Sequence, residues 1–233
     1  MRRVEKGDCP QKDGADIAFS KYQEARPALV DQLGGYCSYC EMPVSTLLAV
    51  EHIRPKGVNG SLELEWTNFL LACGNCNPTK GHADLDDECY LWPHRHNTFY
   101  ALAYGPGALV KPNADLSPLD SLRAKNIINL VGLDKRSGNI KTMSDRRWIR
   151  REGAWRTAAH SLDRLVKNDS PELRETIADL AQATRFFSVW MTVFTADTDM
   201  LERILNVFPG TALDCFVDGQ CLASVTRPAR EAR

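Results

Sequence analysis

Four cysteines in two short knuckles, Cys37-x-x-Cys40 and Cys73-x-x-Cys76, constrain this chain more than anything else in it. Zinc takes four ligands in a tetrahedron, and two matching C-x-x-C turns deliver four thiolates from separate pieces of chain. A metal surrounded by four sulfurs keeps no open position, so the expected zinc is structural. The chain between the knuckles has little core of its own. The metal would therefore supply much of the local folding free energy, on the order of ten kcal/mol in small sites of this kind. Thiolate ligation also fits a reducing compartment. No apolar run follows Met1-Arg2-Arg3-Val4-Glu5-Lys6, and the longest apolar stretches, near Phe69–Ala72 and Ser188–Thr195, are too short to span a bilayer. The expectation is a cytoplasmic protein with no membrane partner. Cys9, Cys89, Cys215 and Cys221 are read as ordinary thiols.

A length of 233 residues with 43% hydrophobic residues is enough for one domain, or one domain with a smaller module. The net charge is −1, so any surface for a polyanion must be local. Residues 16–33 read as a helix in two pieces, with Pro27 in the first turn of the second and Gly34-Gly35 ending it. Leu47–Val50 reads as a strand leading into Glu51-His52, and residues 54–60 as a loop. Residues 83–112 show no long periodicity and read as irregular structure. Further on, Ser117-Pro118-Leu119-Asp120 opens a helix that Gly132 stops. A second helix is expected over 143–167. A third opens at Ser170-Pro171 and carries the stripe Leu173, Ile177, Leu180, Thr184, Phe187, Trp190, read as core packing. A short helix over 198–207 ends at Pro209-Gly210. The division that follows is 1–35 as an N-terminal helical segment, 36–112 as the cysteine-bearing core, and 113–233 as a helical region.

The knuckles enclose an acid–histidine pair. An imidazole titrates near neutrality, so His52 can accept a proton from water. Glu51 can hold a hard divalent cation through oxygen, and the Asn77 amide can complete such a site against a phosphate. Asn68 can fix one tautomer of His52. Lys80, Arg54 and Lys56 are candidate phosphate contacts.

The order Cys37-x-x-Cys40, Glu51-His52, Asn68, Cys73-x-x-Cys76-Asn77-x-x-Lys80 resembles the four-cysteine type of HNH (ββα-metal) endonuclease. The resemblance implies an α+β fold, a small zinc-stapled ββα-metal core with an N-terminal helix and a mainly helical C-terminal region. It implies His52 as general base, Glu51 and Asn77 as ligands of a catalytic Mg²⁺ or Mn²⁺, and Asn68 as a residue that orients His52 or shapes the loop. The third motif position is often histidine in that family. Asparagine there goes with nucleases that prefer Mg²⁺, and His82 is the alternative ligand. The layout is also similar to the HNH subunit of Septu-type anti-phage defence systems and related retron effectors. The points of likeness are the N-terminal Arg-Arg-Val-Glu-Lys-Gly segment and the helical stretch Asn126–Asp134. That likeness implies an ABC/SMC-like ATPase partner and a nucleic-acid substrate, DNA favoured over RNA.

Two further features have alternative readings. The run Asp145-Arg146-Arg147-Trp148-Ile149-Arg150-Arg151 is either a phosphate track or a solvated helix face with one buried tryptophan. Trp92-Pro93-His94-Arg95-His96 either sets two histidines beside the active site or packs structurally; without helical or strand ligand spacing it is read as packing. The leading expectation is a metal-dependent phosphodiesterase. Its rivals are a zinc-stapled nucleic-acid-binding or protein-docking module without turnover, and a nuclease subunit silent until the ATPase binds the helical tail.

Overall fold

The computed structural model describes residues 1–44, 48–82, 85–135 and 145–226. Helices and short antiparallel strand pairs make a mixed α and β architecture. A small hairpin, β1 (Gln11–Lys12) with β2 (Ala15–Asp16), is followed by a 3-10 turn at Tyr22–Ala25 and by α1 (Arg26–Leu33). The expected first helical piece is thus a strand and a turn. The second piece is as expected, with Pro27 in the first turn and Gly34 leaving at φ 84°. A side chain at Gly34 would collide with the Tyr36 ring, so glycine is needed there for its space as well as its backbone.

The central unit is β3 (Ala49–His52), β4 (Phe69–Ala72) and α2 (Cys76–Lys80). The strands pair antiparallel with Glu51 opposite Leu70 and His52 opposite Phe69. Leu47, which opened the expected strand, lies outside the described residues. All four residues of β4 are buried, as the apolar run Phe-Leu-Leu-Ala requires. Residues 83–112 were expected to be irregular. Among the described part of that span are α3 (Thr98–Ala101) and a hairpin of β5 (Leu102–Gly105) and β6 (Leu109–Pro112). The turn Gly105-Pro106-Gly107 between two short apolar runs is what closes that hairpin.

The C-terminal part holds α4 (Pro118–Val131), α5 (Arg147–Lys167), α6 (Pro171–Thr184), α7 (Phe187–Val193) and α8 (Thr198–Val207). The Ser117 hydroxyl accepts from Asp120 N and caps α4, and Gly132 ends it in the left-handed region at φ 63°. Residues 143 and 144 of the expected second helix lie outside the described residues. The expected third helix is two: Arg185 and Phe186 both have positive φ and break it. No glycine or proline marks the break. It is set from a distance by Glu41, whose carboxylate accepts from Ser188 N at 2.9 Å and Ser188 Oγ at 2.6 Å, capping α7. The short pair β7 (Phe216–Val217) and β8 (Gln220–Cys221) closes the described chain.

Two buried apolar clusters result. One gathers residues from the N-terminal segment, the ββα unit, β5, β6 and α4. The other gathers Tyr36 and the inner faces of α5–α8, with Phe187 and Trp190 at its centre. The stripe expected to be core packing is therefore core. Arg2 is buried between the end of α1 and the end of α8. It donates to Leu33 O at 3.1 Å, Pro209 O at 2.6 Å and Thr211 Oγ1 at 2.8 Å, and stacks over Tyr36. No helix among the described residues is long and apolar enough to cross a membrane.

Candidate active site and metal centre

The first knuckle precedes β3, and the second follows β4 and opens α2. Pairing of the strands therefore brings the knuckles together, and the ligand atoms of Cys37, Cys40, Cys73 and Cys76 lie within 4.8 Å of one another, all buried. The Cys40 and Cys73 sulfurs are 3.7 Å apart. A tetrahedron with Zn–S bonds of about 2.3 Å has an edge of about 3.8 Å, close to that separation, so the cluster is of the size and ligand type that suits zinc. Burial pushes the Cys40 and Cys76 thiols well above their usual range, while hydrogen bonds from the other cysteines draw Cys73 below it; four thiolates packed this closely repel one another and need a cation.

Sequence reasoning missed the partner of this cluster. Arg147, at the start of α5, is buried and donates from Nη1 to Cys76 Sγ at 2.9 Å and to Val131 O at 2.7 Å. Its Nη2 donates to Gly132 O at 3.1 Å, and Asp145 completes the shell with an ion pair at 2.6 Å. Arg151 is buried too, on Ala108 O and Leu133 O. The basic run is therefore half structural. Arg147 and Arg151 hold backbone and sulfur, while Arg146 and Arg150 stay exposed.

Glu51, on β3, is 2% exposed. Its Oε1 pairs with Lys80 Nζ at 2.9 Å, and its Oε2 accepts from the Tyr39 hydroxyl at 2.8 Å. Burial pushes its carboxyl above the usual carboxylate range, opposed by Lys80 and by Tyr39. Lys80 was expected on a phosphate. Its ammonium is instead buried, bound to Glu51 and to His52 O at 3.0 Å, and presents no charge to solvent. Asn77 lies one turn before Lys80 on α2 and is half-buried. Among the described residues no hydrogen bond joins its side chain to Glu51 or His52. A carboxylate has about four lone-pair sites, and two are used here, so Glu51 retains capacity for a hard cation. Asn77 is of the right donor type to join it. His82 is exposed beyond α2.

His52, at the end of β3, is half-buried. Its Nε2 lies 2.9 Å from Glu63 O. A carbonyl can only accept, so Nε2 carries the proton and Nδ1 is the basic nitrogen. Tyr22 and Phe69 meet the ring edge-on at 4.7 Å and 5.4 Å. Burial lowers its pKa below the ordinary histidine value, the Glu63 carbonyl opposes that, and nearby Lys56 lowers it further. The ring is therefore neutral at neutral pH.

Asn68 does not touch the His52 ring. Its Oδ1 accepts from Arg54 N at 2.8 Å, and its Nδ2 donates to Arg54 O at 3.0 Å and Leu62 O at 3.1 Å. It ties the two ends of the loop that carries Glu63, and so places the carbonyl that holds His52. Lys56 pairs with Glu63 at 2.8 Å and stands over the Tyr22 ring. Arg54 pairs with Asp87 at 2.8 Å. Both keep half-exposed side chains. Tyr39 and Glu63 had no signal of their own in the sequence, because each acts through a tertiary hydrogen bond.

A strand, a loop, a second strand and a helix, stapled by four cysteines, with histidine at the end of the first strand, is the arrangement of a class. Residues 37–83 match the family model described as HNH endonuclease, and that segment, about a fifth of the chain, carries an HNH endonuclease domain with a four-cysteine cluster. Over 69 residues the chain is also 35% identical to the Septu protein PtuB of Bacillus thuringiensis. That stretch is 28% of this chain and 27% of that protein, so the chain matches about a quarter of the relative's length.

Proposed function

We propose that the protein is a metal-dependent endonuclease in which His52 is the general base. The observation that carries this reading is the half-buried His52 ring, with Nε2–H committed to Glu63 O and Nδ1 left to accept a proton; burial, which disfavours the charged ring, acts in the same direction. Nδ1 takes the proton of a water that attacks phosphorus in line, which generates the nucleophile as it is consumed. Asn68 keeps the loop, and with it the Glu63 carbonyl, in register. Tyr39 and Lys80 hold the Glu51 carboxylate in one orientation before substrate arrives. Glu51 and Asn77 would hold Mg²⁺ or Mn²⁺, which supplies stabilisation of the charge on the phosphate and the leaving oxygen. Zinc on the four cysteines keeps the strands and α2 in place.

The substrate we propose is DNA in preference to RNA, and the context that of an anti-phage nuclease working with an ABC/SMC-like ATPase. The support is the likeness to a Septu protein over the HNH stretch. Trp190 is wholly buried, so a charge there would unfold the tail and is no probe of docking. The rival reading, a stapled binding module without turnover, is favoured by one observation: the Lys80 ammonium already neutralises Glu51.

Cleavage of plasmid DNA, single-stranded DNA and tRNA by wild type and His52→Ala, with Mg²⁺, Mn²⁺ or chelator and with zinc content measured, separates the two. Metal-dependent cleavage that vanishes in His52→Ala at full zinc occupancy supports the nuclease. Binding without cleavage by the wild type supports the module.

A further inference from the structure

Beside the loop that holds His52, a short acidic segment lies across arginines from separate parts of the chain. The Asp86 carboxylate accepts from Glu88 N and caps the 3-10 turn Asp87–Cys89, which fixes Asp87 and Glu88 in place. Asp87 Oδ2 accepts from Arg54 Nη2 at 2.8 Å and Nε at 3.1 Å, and from Arg95 Nη1 at 3.5 Å. Glu88 follows, with Oε1 3.8 Å from Arg95 Nη2 and Oε2 3.3 Å from Arg123 Nη2. Arg123, on α4, also donates from Nε to Glu88 O at 2.7 Å and ties the segment down.

Arg54 stands two residues beyond His52, and Asn68 holds both its backbone groups, so its guanidinium starts from a point fixed relative to the base. A cleft of about 180 Å³ opens among Ile53, Arg54, Thr67, Asn68, Asp87 and Arg95. The Arg54 and Arg95 side chains are 48% and 46% exposed. Ion pairs whose cations are this exposed contribute little to stability, so the fold has little need of them. Two guanidinium forks converging on one anionic oxygen is the geometry that suits a phosphate. The next acid along the segment, Glu88, meets Arg95 from its other side, as the next phosphate of a strand would.

We propose that Arg54 and Arg95 grip the phosphodiester backbone beside the scissile bond, and that Asp87 and Glu88 occupy this track as an anionic stand-in that an incoming strand displaces. The proposal rests on the nuclease reading of His52. Arg95 lies outside the segment that matches the HNH model, so this part of the track belongs to the flanking structure. The track reads backbone and not bases, so binding falls with salt and varies little with sequence.

The test is fluorescence anisotropy of labelled duplex DNA, single-stranded DNA and an RNA stem-loop, titrated with the full-length zinc-loaded His52→Ala protein. Asp87→Asn/Glu88→Gln in that background binds tighter by about 5-fold or more, because removing the stand-in leaves the cations to the ligand. Arg95→Gln binds weaker by about 5-fold, with a salt slope shallower by about 1. The three probes show which backbone the track takes. Lys12→Gln, on the β1–β2 hairpin, changes nothing, and melting temperature and zinc content report that each variant is folded. Unchanged or weaker binding by folded Asp87→Asn/Glu88→Gln, or no binding to any probe by any variant, overturns the proposal. Failure of the nuclease reading looks different: the wild type binds and never cleaves.

Discussion

At the scale of single residues, the site depends on which polar atoms are already spoken for. His52 has one ring nitrogen bound to a carbonyl and one free to work. Glu51 and Lys80 form a pair that the sequence could not show, because the lysine of Asn77-x-x-Lys80 reads equally well as a solvent-facing cation. Only the fold, which sets the end of α2 where Lys80 reaches Glu51 and His52 O, turns it inward. Removing one member of a buried pair leaves an uncompensated charge. Lys80→Met should therefore cost about 3 kcal/mol or more in chemical denaturation, and adding Glu51→Gln should restore most of that loss. A single variant as stable as wild type would show that the pair is not buried in solution. The pattern Cys-x-x-Cys, Glu-His, Cys-x-x-Cys-Asn was legible because its chemistry is written in residue type and spacing. Asn68 reads from the sequence as a residue that orients His52 or shapes the loop; its partners, Arg54 and Leu62, are not inferable from a lone asparagine.

At the scale of elements, the zinc knuckle is a hub for the helical region. Glu41, just past Cys40, caps α7, and Arg147, opening α5, bonds Cys76 and the C-terminal carbonyls of α4. The capped start of α4 and the stop at Gly132 were readable from local signals. The break between α6 and α7 was not, since the stripe through Phe187 and Trp190 continues the helical period across it. Two residues of positive φ cost on the order of 1–3 kcal/mol each, and a buried acid from the knuckle together with the packing of Phe186 and Phe187 offsets that cost. Outer-shell partners of metal ligands typically matter by about 10–100-fold in metal affinity. Arg147→Met should accordingly speed zinc release to a chromogenic chelator by about 10-fold or more, and should shift the thiolate-to-metal absorption of the cobalt-substituted protein. An unchanged spectrum with unchanged release would confine Arg147 to holding α4.

At the scale of the whole molecule, two apolar clusters meet through the zinc unit, so metal removal should be felt in both. Chelation of zinc is expected to lower the melting temperature and expose amides of α5 and α7, as well as those of β3 and β4, to hydrogen exchange. Protection retained in the helices would separate them from the metal. Acid should act through the turn 92–96 as well. Burial lowers the His96 pKa from the ordinary 6.5 to about 4, and its Nδ1 accepts from Trp92 N. Burial also holds His94 well below the ordinary range. The unfolded chain therefore takes up protons first, so the stability from a neutral His96 is complete above pH 6.5 and is lost as pH falls from 6.5 toward 4. His96→Gln should flatten the fall of melting temperature over that window, and an unchanged slope would exclude His96 as a source of the acid lability.

The central claim concerns His52 as a neutral base, and the pH dependence of single-turnover cleavage at saturating Mg²⁺ tests it most directly. An acid limb centred below pH 6.5 is expected, as Nδ1 takes up its proton, with His52→Ala near background throughout. An acid limb centred at or above pH 6.5, or the same profile at comparable rate in His52→Ala, would contradict it.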